Sequence, residues 1–290
     1  MKLFDPSLKF FKGNTHAHTN NSDGHVSPEE AMRMYHAAGY DFLAITDHWF
    51  VGEEQAYNGM LILPGVEYDF TFPTQVLHLV CLFRDAKHAE GIHRGANHMD
   101  VITQVNAAGG VAIAAHPAWS LNTSEFLCSL DGVDISEVYN TLSGEPHNGP
   151  RANSEGILDV AAANGKLFNL VAADDSHFYK GEQCVSYTMV QAEELSVPAI
   201  LEGLKKGRFY ASQGPEFKNI EKDGNSILIE TSPVCRITAC SNQYWVAGRC
   251  IEGDGLTRRV YQAQPGEKYV RFQITDKQGR KAWSNPISLQ

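Results

Sequence analysis

Asn14-Thr15-His16-Ala17-His18, then Asp23-Gly24 and, after a helical interval, Ile45-Thr46-Asp47-His48, is the stretch whose reading decides the fold. Side chains on an extended backbone repeat with period 2, so His16 and His18 point the same way and both imidazoles can reach one ion. Upstream, Leu8 to Lys12 reads as a strand, and Gly13-Asn14 turns the chain out of it. Ser27-Pro28-Glu29-Glu30 opens a helix with a hydroxyl N-cap, a proline at the first helical position and a glutamate at N3. Ala31, Met34, Tyr35 and Ala38 form its apolar stripe and Gly39 closes it. Asp41 to Thr46 is the apolar run of a buried parallel strand, and it delivers Asp47 and His48 at its carboxyl end. Strand, ligand-bearing loop, capped helix, strand and ligands again is how an α/β barrel presents chemistry at one rim.

The same punctuation continues downstream. Leu61 to Glu67 is an apolar run ending in a carboxylate, and Thr74 to Phe83 is a strand with His78 embedded in it. A helix over 96–108, stopped by Gly109-Gly110, precedes the buried strand Val111 to Ala115, with His116-Pro117 at its end. Val133 to Asn140 reads as a strand, followed by a loop holding His147 and Arg151, then a helix over 153–163. Leu167 to Ala173 runs into Asp174-Asp175-Ser176-His177, where Asp175 and His177 repeat the two-residue spacing of the opening pair. Val197 to Lys206 is the last helix of this part. From about Pro215 apolar residues alternate in short runs at roughly ten-residue intervals, the texture of an antiparallel β unit. Two domains are therefore expected, 1–213 and 214–290.

Composition narrows the function classes. With 290 residues and 43% hydrophobic content the chain can bury a barrel-sized core, and a net charge of −10 argues against coating nucleic acid or a membrane surface. A cleft with local cations can still bind a small phosphorylated molecule. The N-terminal residues carry no apolar leader-like run and no stretch reaches the length of a membrane span, so a soluble, cytoplasmic protein is expected. The six cysteines show no C-x-x-C pairing and read as reduced core residues. His25, His36, His88, His93 and His98 read as surface or helix positions, while Trp49 and Phe50 are placed to cover the barrel mouth or stack on a substrate.

The succession H-x-H (16–18), S-D-G (22–24), T-D-H (46–48), G-V-E (65–67), strand histidine 78, A-H-P (115–117) and D-x-H (175–177) closely resembles the PHP family, named for polymerase and histidinol phosphatase domains. The resemblance covers residues 11 to about 213; Gly207 to Ser212 and Ala282 to Ile287 also look like members with a β-rich C-terminal extension. It implies an α/β fold, a distorted seven-stranded (β/α) TIM-like barrel, with two to three divalent metal ions at its C-terminal mouth. By motif position His16, His18, Glu67 and Asp175 would bind the first, Glu67 would bridge to a second held by His78 and His116, and Asp23, His48 and His177 would bind a third. Asp174 departs slightly from the pattern, which often has a small residue there.

Mixed nitrogen and oxygen donors suit zinc, manganese or iron, and two ions about 3.5–4 Å apart can activate water and stabilise both oxygens of a displacement. The resulting expectation is a metal-dependent phosphoesterase acting on a small phosphomonoester or nucleotide, with Glu67, Asp175 and His177 carrying the chemistry and His147, Arg151 and Lys180 as further phosphate contacts. The same centre could cleave a carbamate or amide, since activated water attacks a carbonyl as well. A non-catalytic metal-binding domain is a third reading, disfavoured because nothing physical would retain nine convergent groups without use.

Overall fold

The structure, a computed structural model, describes residues 1–290. Its N-terminal part runs β1 (Lys9–Asn14), α1 (Pro28–Ala37), β2 (Phe42–Ile45), β3 (Gln55–Tyr57), β4 (Met60–Thr71), β5 (Val76–Leu82), a 3₁₀ turn (Ala86–Ala89), α2 (His98–Ala107), β6 (Val111–Ala114), α3 (Ser124–Cys128), β7 (Ile135–Asn140), α4 (Glu155–Ala163) and β8 (Asn169–Ala173). There follow β9 (Tyr187–Ala192), α5 (Val197–Lys205) and β10 (Phe209–Ser212), then six more strands. These are β11 (Phe217–Asp223), β12 (Ser226–Ser241), β13 (Cys250–Gln262), β14 (Tyr269–Thr275), β15 (Lys281–Ser284) and β16 (Ile287–Ser288).

The capping signals operate as the sequence suggests: Ser27 Oγ accepts from Glu30 N at 3.2 Å and Pro28 opens α1. The buried face is Ala31, Met32 and Tyr35, whereas Met34 and Ala38 of the expected stripe are half-buried and exposed. β2 and β6 are buried at every residue, as strands covered on both faces must be. β1, β2 and β4 pair in parallel, as do β6, β7 and β8.

The fold is mixed α/β, but it is richer in strands than a regular alternation of strand and helix. Only four residues separate β4 from β5, too few for a parallel crossover, so the chain turns back as an antiparallel hairpin. β5 then pairs antiparallel with β6. The outer strands of this run meet just beyond their carboxyl ends: Asp175 N donates to His16 O and His18 N to Ser176 O, each at 2.9 Å. Lower down, β9 lies antiparallel against β1.

The 1–213 and 214–290 portions are joined by a continuous ladder. β10 pairs with β9 on one side and with β15 on the other, so the C-terminal strands extend the same sheet. Trp283 is buried in the N-terminal core and stacks on Tyr139 at 5.7 Å, while the Asn285 side chain accepts from Leu170 N and donates to the carbonyls of Gly207 and Phe209. Arg271 of β14 reaches across to Asp159 and Glu155 of α4. No helix is long and apolar enough to cross a membrane. All six cysteines are free; only Cys81 is fully buried, and Cys250, on strand β13, is exposed, so the expectation of core thiols holds for Cys81 alone.

Candidate metal centre

Nine side chains named by the sequence motifs converge at one rim of the sheet, where β1, β2, β6 and β8 end and the antiparallel β5 begins. His16 and His18 follow β1, His48 follows β2, Glu67 lies within β4, His78 within β5, His116 follows β6, and Asp175 and His177 follow β8. Asp23 comes from the loop after β1, which folds back closely enough that a Cβ at Gly24 would lie 2.5 Å from the His18 carbonyl carbon. Asp47 pins that loop by accepting from Thr19 N (2.7 Å), Thr19 Oγ1 (2.6 Å) and Ser22 Oγ (2.7 Å). His116 (φ 31°) and Asp175 (φ 56°) leave their strands in left-handed backbone conformations, strain of the kind that collects at functional sites.

The donor atoms form three overlapping groups. In the deepest, His16 Nε2 and His18 Nε2 lie 3.2 and 3.0 Å from Glu67 Oε2, and each is 3.2 Å from Asp175 Oδ1. In the outermost, Asp23 lies 3.5 Å from His18 Nδ1, 3.8 Å from His48 Nε2 and 3.4 Å from His177 Nε2. Glu67 is common ground for the rest, with Oε1 2.8 Å from His78 Nδ1 and 3.2 Å from His116 Nε2, and Oε2 3.5 Å from His48 Nδ1. His18 thus belongs to two groups, and His48 stands with Glu67 and His78 as well as with Asp23.

These residues fit a divalent cation on grounds internal to the structure. Asp175 Oδ1 and His48 Nδ1 are buried without a hydrogen-bond partner, and an orphaned buried acceptor is costly unless something else satisfies it. Burial favours the neutral form of Glu67, yet His16 and His78 beside it hold its carboxyl well below the ordinary range. Asp175 behaves likewise, its burial outweighed by His16, His18 and His177. Burial lowers the His177 pKa, but the hydrogen bond to Asp23 and the Asp175 charge together raise it to about 9. Asp174, one residue before Asp175, goes the other way: burial pushes it up to about 6. Asp174 is a structural hub, accepting from Tyr35 Oη and from the backbone N–H groups of Cys184, Val185 and Ser186.

A cavity of 150 Å³ opens onto this cluster, lined by Asp23, His48, Glu67, His78, His116, Asp175 and His177 together with Trp119, Leu142, Ser143 and Asn148. Trp119 packs edge-on against His78 and His116 at 5.6 and 4.9 Å. The three residues expected as phosphate contacts do not line it. Glu182 accepts from the backbone N–H groups of Phe178, Tyr179 and Lys180, and the Lys180 side chain is left exposed. His147 faces Glu182 at 3.5 Å and stacks on Phe178, and Arg151 is exposed. Trp49 points its indole N–H at Asp69 and Phe50 is half exposed, and neither lines the cavity. Sequence reasoning missed Glu137, a buried carboxylate of β7 hydrogen-bonded to His16. Its only signal was a carboxylate in the middle of a strand, between Ser136 and Val138.

No family model matches the chain, and no curated protein matches it. Among solved structures, a two-domain protein from Bacteroides vulgatus containing a predicted PHP-like metal-dependent phosphoesterase aligns with TM-score 0.56 at 15% identity, covering 98% of this chain and 97% of that one. This chain shares that protein's fold. A putative metal-dependent phosphoesterase from Bifidobacterium adolescentis aligns with TM-score 0.41 at 18% identity, over 57% of this chain and 87% of that one. An amidohydrolase from Chromobacterium violaceum, solved with bound sulfate and no metal, aligns with TM-score 0.42 at 16% identity, over 59% and 89%. The likeness to the Bacteroides protein spans both the ligand-bearing part and the C-terminal strands, so the mixed α/β fold is shared over nearly the whole of both chains.

Proposed function

We propose that the chain is a metal-dependent hydrolase whose substrate is a small phosphomonoester or nucleotide. The observation that carries the reading is the convergence of six histidines and three carboxylates, from six strands and one loop, in one cluster, seven of them lining a single small cavity. His16, His18, Glu67 and Asp175 would hold one divalent ion, Glu67, His78 and His116 a second, and Asp23, His48 and His177 a third, of zinc, manganese or iron. When bound, such ions supply Lewis acidity and an activated water for displacement at phosphorus. Glu67, Asp175 and His177 line the cavity and face the reacting group. Trp119 and Leu142 form an apolar wall that limits the water around it, and Ser143 and Asn148 offer polar contacts to the departing portion. In this reading the strand run of residues 1–213 is a distorted (β/α)7 barrel closed at its mouth, and residues 214–290 buttress it.

A second reading, hydrolysis of a carbamate or amide, is favoured by one feature: no lysine or arginine lines the cavity, so the protein itself offers a phosphate dianion no fixed cation. Steady-state hydrolysis by the purified protein, stripped and then reloaded with manganese, zinc or ferrous iron, separates the two. Phosphate release from p-nitrophenyl phosphate or nucleotides, competitively inhibited by inorganic phosphate, is expected. Turnover confined to amide or carbamate panels would overturn the phosphoesterase reading, and turnover of neither class would overturn both.

A further inference from the structure

We infer that Glu137 is a positioning residue that sets which nitrogen of His16 is free to bind an ion. The inference rests on the metal-centre reading above and extends it to a residue outside the ligand motifs.

Glu137 is 1% exposed and sits on β7, where the ladder to β8 shifts register between Glu137 and Tyr139. Such a bulge re-aims a side chain, and here it accompanies a carboxylate turned into the protein beneath the ligands. Its Oε1 lies 2.8 Å from His16 Nδ1. Its Oε2 accepts from the backbone N–H of His116 at 2.8 Å and from Asn140 Nδ2 at 2.7 Å. Asn140 Nδ2 also donates to Asp175 Oδ2 at 3.2 Å, and Asn140 Oδ1 accepts from Ser143 N and Oγ. One carboxylate therefore ties together the ligands that follow β1, β6 and β8.

The chemical consequence falls on His16. An ionised carboxylate only accepts, so the ring nitrogen facing it carries the proton. To ligate through Nε2 the ring must be neutral, and the Glu137 carboxylate then keeps its one proton on Nδ1, with Nε2 aimed at the point shared with His18, Glu67 and Asp175. A ligating histidine held by an outer carboxylate is fixed in tautomer and ring orientation and made a stronger donor. Glutamine at 137 has nearly the same shape but one acceptor instead of two. Two donors, His116 N–H and Asn140 Nδ2, compete for that oxygen, which turns the amide NH₂ toward His16 Nδ1. His16 then satisfies the NH₂ by accepting at Nδ1, and its proton moves to Nε2, where it blocks the ligating position.

The test is metal affinity in the full-length protein. Wild type, Glu137→Gln and Glu137→Asp are stripped of metal and titrated with zinc against a chromophoric chelator. The visible spectrum of the cobalt-loaded forms serves as a second readout, and metal-free melting temperatures report on folding. Glu137→Gln is expected to bind about 10–100-fold more weakly, the usual effect of losing an outer carboxylate partner, with altered cobalt bands. Glu137→Asp, which keeps the charge on a shorter arm, should fall between Glu137→Gln and wild type, and it carries the test if the glutamine variant does not fold. A purely structural role would lower the metal-free melting temperature while leaving affinity and spectrum unchanged, and that result overturns the proposal. If the wild type binds neither zinc nor cobalt, the metal-centre reading falls and takes this one with it. Equal affinities in all three overturn only the role of Glu137.

Discussion

At the contact between α4 and the C-terminal strands, Arg271 is buried with its Nε and Nη2 each 2.7 Å from an oxygen of Asp159 and with Nη2 3.1 Å from Glu155. In the cavity, Glu67 is buried among five histidines at 2.8–3.5 Å, and neighbouring Asp175 Oδ1 and His48 Nδ1 have no hydrogen-bond partner. Both places concentrate charge in low dielectric, where an unpaired ion is expensive. The first answers that cost with a guanidinium forked onto a carboxylate, a geometry that uses the acceptor's lone pairs directly. The second aims lone pairs from several strands at shared points and leaves some of them unused by protein donors. The difference separates a cluster whose carboxylates meet a fixed cation of the chain, with only Arg271 Nη1 left over, from one whose acceptors converge with no lysine or arginine among them.

Removing divalent ions should have the largest effect. Stripping the protein with a chelator should lower hydrolysis by about 10³-fold, the several kcal/mol that metal Lewis acidity contributes, and re-adding metal should restore it. Added metal should also raise thermal stability, by about 2.7 kcal/mol at a concentration 100 times the dissociation constant. Calorimetry of stripped and reloaded protein checks this. A melting temperature indifferent to metal would mean that the cavity is as self-sufficient as the Arg271 contact, and the comparison would collapse.

Arg271→Met should come next. It leaves Asp159 without its cation and Glu155 with only the partly exposed Lys281, and breaking such a pair costs about 3 kcal/mol, the low end of the usual range because Asp159 is partly exposed. Denaturant melts should show the loss, while turnover at a temperature where the variant is folded should stay near wild type. A large fall in turnover would show that the C-terminal strands shape the cavity directly and are more than a buttress.

These two clusters also show how much of the molecule could be read in advance. Period-2 spacing made the His16–His18 and Asp175–His177 pairs visible, and Ser27-Pro28 marked α1, because those signals are local. Glu137 was hidden because its burial depends on a register shift in β7 and on partners in β1 and β6. The antiparallel β9 was hidden as well, since Tyr187–Ala192 carries no turn chemistry that distinguishes a returning strand from a continuing one. His147 and Lys180 looked like phosphate ligands from their place in loops near the motifs, but Glu182 organises both loops differently. Arg271 alternates with Val270 and Phe272 along the chain, and nothing local marks it as the partner of Asp159 on α4.

Acid should distinguish the two clusters more finely. Burial pushes the Glu155 carboxyl up, but Arg271, Asn153 and Lys281 together hold it below its ordinary value. A carboxyl depressed in the folded state stabilises the fold above its unfolded value, about 4.3 for glutamate, and that contribution disappears as pH falls through the lower folded value. Unfolding free energies measured across the acid range should therefore fall more steeply for wild type than for Arg271→Met below about pH 4.3. Parallel pH curves would place the acid sensitivity elsewhere.

The smallest effect belongs to Lys281→Met. Lys281 Nζ lies 3.4 Å from Glu155 Oε1 with about a third of its side chain exposed, whereas the Arg271 side chain is 4% exposed. Water already screens the lysine, and such pairs contribute about 0.2–1 kcal/mol. Glu155 also keeps Arg271 and Asn153 when the lysine is gone, so no buried charge is left unpaired. The variant should thus lie within about 1 kcal/mol of wild type, and combined with Arg271→Met it should lose somewhat more than the sum, because Glu155 then has neither cation and keeps only Asn153. A cost for Lys281→Met equal to that for Arg271→Met would mean that the contact is a distributed network without the arginine fork at its centre. It would then resemble the cavity, where no single protein group satisfies Glu67, more than it differs from it.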